Sequence, residues 1–138
     1  MTREEARAKA VGYFMEKARE ALASGRDEAA AGRLNFAMNR CYYAAFYAAS
    51  AVLLSRGHRF VKHAGTRAAL HRELVNTGLL GKEWGRFYNE LFEDRHAGDY
   101  VEFTTFERQE VAEALTKATE LLNIMEPLAA GGPTSSTT

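Results

Sequence analysis

The stretch Cys41-Tyr-Tyr-Ala-Ala-Phe-Tyr-Ala-Ala-Ser-Ala-Val-Leu-Leu54 decides the fold. It is apolar on every side when wound as a helix, broken only by Ser50, so it reads as the inner part of a central helix covered by neighbours rather than an amphipathic surface helix. Its alanines allow those neighbours to approach closely. At 14 residues it falls short of the roughly 20 that cross a bilayer, so a membrane protein is not expected. The whole chain agrees with a helical reading: among 138 residues alanine occurs 24 times and valine plus isoleucine only seven, whereas half-buried strands favour β-branched residues. One domain of this length buries roughly two-thirds of its unfolded surface, enough for a core without disulfides or a structural metal. Cys41 has no partner within the chain, and the N-terminus lacks a basic stretch followed by an apolar signal core. A reducing cytoplasm is the expected location.

Working outward, Thr2 and Glu5 form a capping box that opens a helix over about 3–24, stopped by Ser24-Gly25. Asp27 can cap the second helix, which meets no breaker before Gly57. A loop from Gly57 to His63 leads to a third helix, about 65–76, ended by Gly78. A fourth runs over about 82–96 with a stripe of Trp84, Phe87, Tyr88, Leu91 and Phe92. Thr104 and Glu107 form a second capping box for a fifth helix, which Pro127 ends. The spacing thus predicts one domain over 1–126, with 127–138 a flexible tail too polar and small to offset its ordering entropy.

Zero net charge hides an asymmetry. No acid lies between Ala29 and Arg72, where Arg33, Arg40, Arg56, Arg59, Lys62, Arg67 and Arg72 fall with three of the four histidines; eleven acids lie between Lys82 and Glu126. A bipolar molecule is expected. There is no Gly-rich phosphate loop, Cys-x-x-Cys, His-Glu-x-x-His or Gly-x-Ser-x-Gly, so neither a cofactor nor those enzyme classes is implied. His58 and His63 are the closest pair for a metal, but Arg59 and Lys62 flank them without a carboxylate, and no metal site is expected.

Arg95 continues the apolar stripe of its helix and needs a partner, either the carboxylate of Asp99 one turn on or a phosphate. Tyr42, Tyr43 and Tyr47 are at core spacing. Arg40, one turn before Tyr43, makes an alternative possible, a strip that stacks a base and holds a phosphate. His63 opens the third helix, either as a simple cap or beside free backbone N–H groups that favour an anion. Six aromatics near the fourth helix (Trp84, Phe87, Tyr88, Phe92, Phe103 and Phe106) exceed what a thin bundle edge covers and point to a homodimer.

In this order, Arg40-Cys-Tyr42-Tyr43-Ala-Ala-Phe46-Tyr47, Gly57, Lys62-His63-Ala-Gly65, Thr77-Gly78 and Arg95-x-x-x-Asp99-Tyr100 resemble the HEPN domain (higher eukaryotes and prokaryotes nucleotide-binding) over residues 4–126. The likeness is to its small stand-alone prokaryotic branch. The resemblance implies an all-α, up-and-down bundle of about five helices with a long central second helix. It also implies a homodimer with its cleft between protomers, a minimal nucleotidyltransferase as partner, and a role in toxin–antitoxin or phage-defence systems. Arg40, Tyr43, Tyr47, His63, Arg95, Asp99 and Tyr100 are then the candidates for binding a nucleotide or RNA phosphate. Several relatives are metal-independent endoribonucleases with an Arg-x(4 to 6)-His motif at the end of the fourth helix. Arg95 and His96 match its start, but no histidine follows at that spacing, where the chain runs Asp99-Tyr100-Val101, so the motif is broken. A binding and partner module is therefore expected. The alternative is an endoribonuclease toxin, with Arg95, His96 and His63 as candidate catalytic residues.

Overall fold

A computed structural model of the chain describes residues 1–59, 62–100 and 105–131, with side chains for all of these except 96–100. It is an all-α bundle. The elements are α1 (Arg3–Ala30), α2 (Leu34–Ser55), α3 (His63–Ala69) running on into a π-helical turn (Leu70–Val75), α4 (Lys82–Tyr100) and α5 (Arg108–Gly131). The second helix is central as its sequence requires, packing on α1, α5, α4 and α3. Ala37, Met38, Cys41, Tyr42, Ala44, Ala45, Ala48, Ala49, Ala51, Val52 and Leu53 are all buried along it.

The Thr2–Glu5 capping box forms, each side chain taking the other's backbone N–H. The end of α1 does not come at Gly25. That glycine is buried inside the helix, and a Cβ there would stand 3.2 Å from both Arg40 Cβ and Leu115 Cδ2. It is a close-approach glycine at the junction of α1, α2 and α5, and Asp27 lies within α1 instead of capping α2. The turn falls at Gly32, whose φ of 82° allows Arg33 N–H to reach the Glu28 carbonyl at 2.9 Å and Gly32 N–H the Ala29 carbonyl at 3.0 Å. The same closure recurs at Gly57, where the sequence places the end of α2: His58 N–H donates to Leu53 O and Gly57 N–H to Leu54 O.

Three further boundaries shift. The third helix starts at His63 and its second half widens into a π-turn, with Asn76 N–H bonding the His71 carbonyl five residues back. The fourth continues past Gly98 to Tyr100. The fifth starts one turn later than Thr104 implies, with Glu107 N–H donating to Glu110 Oε1 at 2.8 Å, and it runs through Pro127 to Gly131. Pro127 removes a single N–H near the C-terminal end of the helix, and both it and Asn123, whose carbonyl that N–H would have met, are exposed. Thr104 and residues 132–138 lie outside the described residues.

The aromatic excess on α4 is also resolved. Phe87 and Tyr88 are buried within the protomer, and Trp84, Phe92 and Phe106 pack partly against the same core. They do not form the exposed patch that the sequence suggests; Phe103 lies outside the described residues. Across the α4–α5 cleft the acids gather: burial first, then Glu110, Glu90 and Glu93, hold the Asp94 carboxyl above the usual carboxylate range.

Candidate phosphate-binding site

The site is built where α2, α3 and α4 meet. Tyr42, Tyr43 and Phe46 project from one stretch of α2, and extended backbone at Lys62 (φ −100°, ψ 143°) delivers His63 onto them. The His63 ring lies on Phe46 at 4.2 Å between centroids and 13° between planes. It also lies nearly parallel to Tyr42 at 5.6 Å and meets the edge of Tyr43 at 5.7 Å. Its Nδ1 shares a hydrogen bond of 2.7 Å with the Tyr42 hydroxyl. Burial pushes the Tyr42 phenol up to about 12, so the hydroxyl keeps its proton, and the His63 tautomer sets which of the two groups donates. His63 is not a cap: Lys62 holds that position without a side-chain bond.

Two guanidinium groups flank these rings. Arg95 Cζ stands 5.6 Å from the Tyr42 centroid and 5.5 Å from that of Tyr43. Arg67 Cζ lies 4.1 Å over Phe92, whose edge faces Tyr42 at 6.0 Å. Both cations lower the titration of Tyr42 against the dominant effect of burial. Stacked on aromatic faces, a guanidinium keeps its in-plane N–H donors for other acceptors, which suits it to phosphate.

The structure thus brings Tyr43, His63 and Arg95 together and adds Tyr42, Phe46, Arg67 and Phe92. Tyr47 is at the rim, 6.1 Å from Tyr43 and 6.4 Å from Phe14 of α1. Arg40 belongs to the opposite end of its strip, its Cβ at the Gly25 crossing. His96, Asp99 and Tyr100 are on the α4 backbone, but their side chains lie outside the described residues. His58 faces Glu73 at 3.7 Å while His63 faces Tyr42, so these histidines serve different partners. Arg67 is the residue that sequence reading passed over. It was one of seven cations, and only Phe92, seven residues into the next aromatic stripe from Gly85, distinguishes it.

The basic half is partly neutralised, Arg33 by Glu28 and Arg72 by Glu73. Arg67 and Arg95 face rings. Among the described residues no group of three metal-ligating side chains occurs, and no helix is long and apolar enough to cross a membrane.

The chain is 44% identical over 120 residues to a UPF0332 protein of Thermotoga maritima, covering 87% of this chain and 91% of that one. It is 28% identical over 110 residues to "Putative toxin MJ0142" of Methanocaldococcus jannaschii, covering 80% of this chain and 75% of the other. A second protein of that organism, "Putative toxin MJ0605", is 32% identical over 85 residues, 62% of each chain. The HEPN domain model matches residues 11–128, from the middle of α1 to the last turns of α5, and the chain belongs to the HEPN domain family.

Proposed function

We propose that this chain is a nucleotide- and RNA-phosphate-binding module that works beside a minimal nucleotidyltransferase in a toxin–antitoxin or defence-type system of the cytoplasm. The observation that carries the reading is the pair of guanidiniums, Arg67 and Arg95, held on a shared cluster of rings around His63. Rings and cations in one place suit a ligand with a planar base and an anionic backbone. The toxin names of two relatives support the system assignment. The broken motif after Arg95 supports binding over cleavage. A homodimer accords with the resemblance, and light scattering tests it: a monomer mass at micromolar concentration counts against it.

Fluorescence polarisation with labelled RNA tests the binding reading. Affinity falls as salt rises, and Arg95→Ala weakens it by about 1–3 kcal/mol while folding normally, as expected for a charge-assisted bond. Unchanged affinity in that variant refutes the assignment. A ribonuclease is the second reading, favoured by one fact: His63 and Arg95 contact the same two tyrosine rings. Cleavage of RNA by the parent protein in EDTA, lost in Arg95→Ala, establishes it in place of the binding module.

A further inference from the structure

A partly enclosed cleft of ≈ 220 Å³ lies between α1, α2 and the start of α3, lined by Phe14, Phe46, Ser50, Leu53, Leu54, His58, Arg59 and Thr66. It adjoins the phosphate site at two points. Phe46 is both a wall of the cleft and the ring on which His63 stacks, and Thr66 is the chain neighbour of Arg67. Its walls are two aromatic rings and two leucines, the surroundings that suit the faces of a flat ligand.

The polar groups set the edge chemistry. Ser50 Oγ donates its proton to the Phe46 carbonyl at 2.8 Å, and Thr66 Oγ1 donates to the Lys62 carbonyl at 3.3 Å. With both protons committed to the backbone, these hydroxyls offer lone pairs to the cleft and call for a donor on the ligand. Arg59 at the rim offers only donors and calls for an acceptor. A planar heteroaromatic ring carrying an exocyclic amino group and a ring nitrogen meets both demands.

We propose that this cleft is a base subsite, taking the amino-bearing nucleobase of a nucleotide whose phosphate lies against Arg67 and Arg95. The proposal rests on the phosphate-binding reading and deepens it by naming the ligand class. It gives the cleft its own selectivity. Adenine, with two amino hydrogens beside a ring acceptor, matches the two hydroxyls and Arg59, whereas uracil offers a single N3–H between two carbonyl oxygens and sets an oxygen against one of the hydroxyls, whose protons are directed to the backbone.

NMR titration separates the two sites. Adenosine, which has no phosphate, shifts the amide resonances of Ser50, Leu54 and Thr66 and binds about fivefold more tightly than uridine, the worth of one hydrogen bond. Ribose 5-phosphate, which has no base, shifts those of Arg67 and Arg95. Ser50→Leu fills the cleft with a good helix former and removes the adenosine response while sparing that of ribose 5-phosphate; Arg95→Ala does the reverse. Exposed Arg59→Ala, which keeps the core intact, weakens adenosine in the same direction. Absence of an adenosine response, equal affinity for uridine, or a response that survives Ser50→Leu overturns the base subsite. Failure of ribose 5-phosphate alone overturns the phosphate reading, and an adenosine response lost in Ser50→Leu still sustains the cleft.

Discussion

Gly85→Ala should change sign with the residue facing it. Gly85 is buried in the first turns of α4, and a Cβ there would stand 2.9 Å from His71 Cε1, 3.2 Å from His71 Nδ1 and 3.1 Å from Val75 Cγ2. The imidazole cannot swing aside freely, because its Nε2 is bonded to Asn89 Oδ1 at 3.0 Å one turn further along α4. Alanine over glycine favours a helix interior by about 1 kcal/mol. Against this stand overpacking of about 1–3 kcal/mol and a strained or broken hydrogen bond of about 1 kcal/mol. The net expectation is a loss of about 1–3 kcal/mol, the balance of those magnitudes. In a His71→Ala background the imidazole is gone and only Val75 crowds the new methyl, so the same substitution becomes neutral or stabilising by up to about 1 kcal/mol. Urea unfolding followed by circular dichroism, run as a double-mutant cycle, reads both signs. Destabilisation of equal size in the two backgrounds refutes the wedge. The result bears on function, since α3, which runs into this π-turn, meets α4 two turns further along where Arg67 covers Phe92.

Three further outcomes follow from buried groups. The Tyr42 hydroxyl is bonded to His63, whereas the buried Tyr88 hydroxyl lies against Tyr42 and meets no other described partner; Tyr42→Phe should cost about 1–2 kcal/mol and Tyr88→Phe less than that in urea unfolding. Burial raises the Cys41 thiol from 9.0 and the Tyr42 phenol from 10.0, each to about 12, so the fold holds protons that the unfolded chain releases. Stability therefore falls as pH climbs from about 9 towards 12, and Cys41→Ala should flatten the first part of that fall; a profile level across this range contradicts it. Asp94, its pKa raised by burial and by neighbouring carboxylates, is strained while ionised, so Asp94→Asn should raise Tm at pH 7, a gain that disappears in acid once the parent carboxyl is protonated.

The central helix was legible because its signal is compositional: a segment apolar on all sides has one place in a helical bundle. Glycine positions were harder. Gly32 and Gly25 carry the same letter, and only the tertiary crossing tells them apart, since Gly25 is required by what approaches it and Gly32 by its own positive φ. By periodicity alone Gly25, the glycine that follows the run from Ala6 to Leu22, is the place for α1 to end, which is seven residues before the turn at Gly32. The π-turn at Leu70–Val75 leaves no local mark either. Its wider turn accompanies the seating of His71 against a glycine on another helix, which is a tertiary fact.

The site divides along the same line. Tyr43 was legible from the aromatic strip of α2, His63 from its place at the start of α3, and Arg95 because a cation on an apolar stripe must find a partner. Arg67 had no such contrast, lying among like charges in a stretch without acids. What selects it is the geometry of a neighbour: the π-turn and the Gly85 notch bring α3 against α4, and Phe92 then receives the guanidinium at 4.1 Å. Arg40 has the helical register to join Tyr43 and Tyr47, and its Cβ lies at the α1 crossing beside Gly25. A residue's own helix can therefore nominate a ligand group, while the helices packed against it decide whether the group faces the ligand. In this chain two glycines set such contacts, Gly25 bringing α1 up to the Cβ of Arg40 and Gly85 admitting the π-turn that follows the helix carrying Arg67.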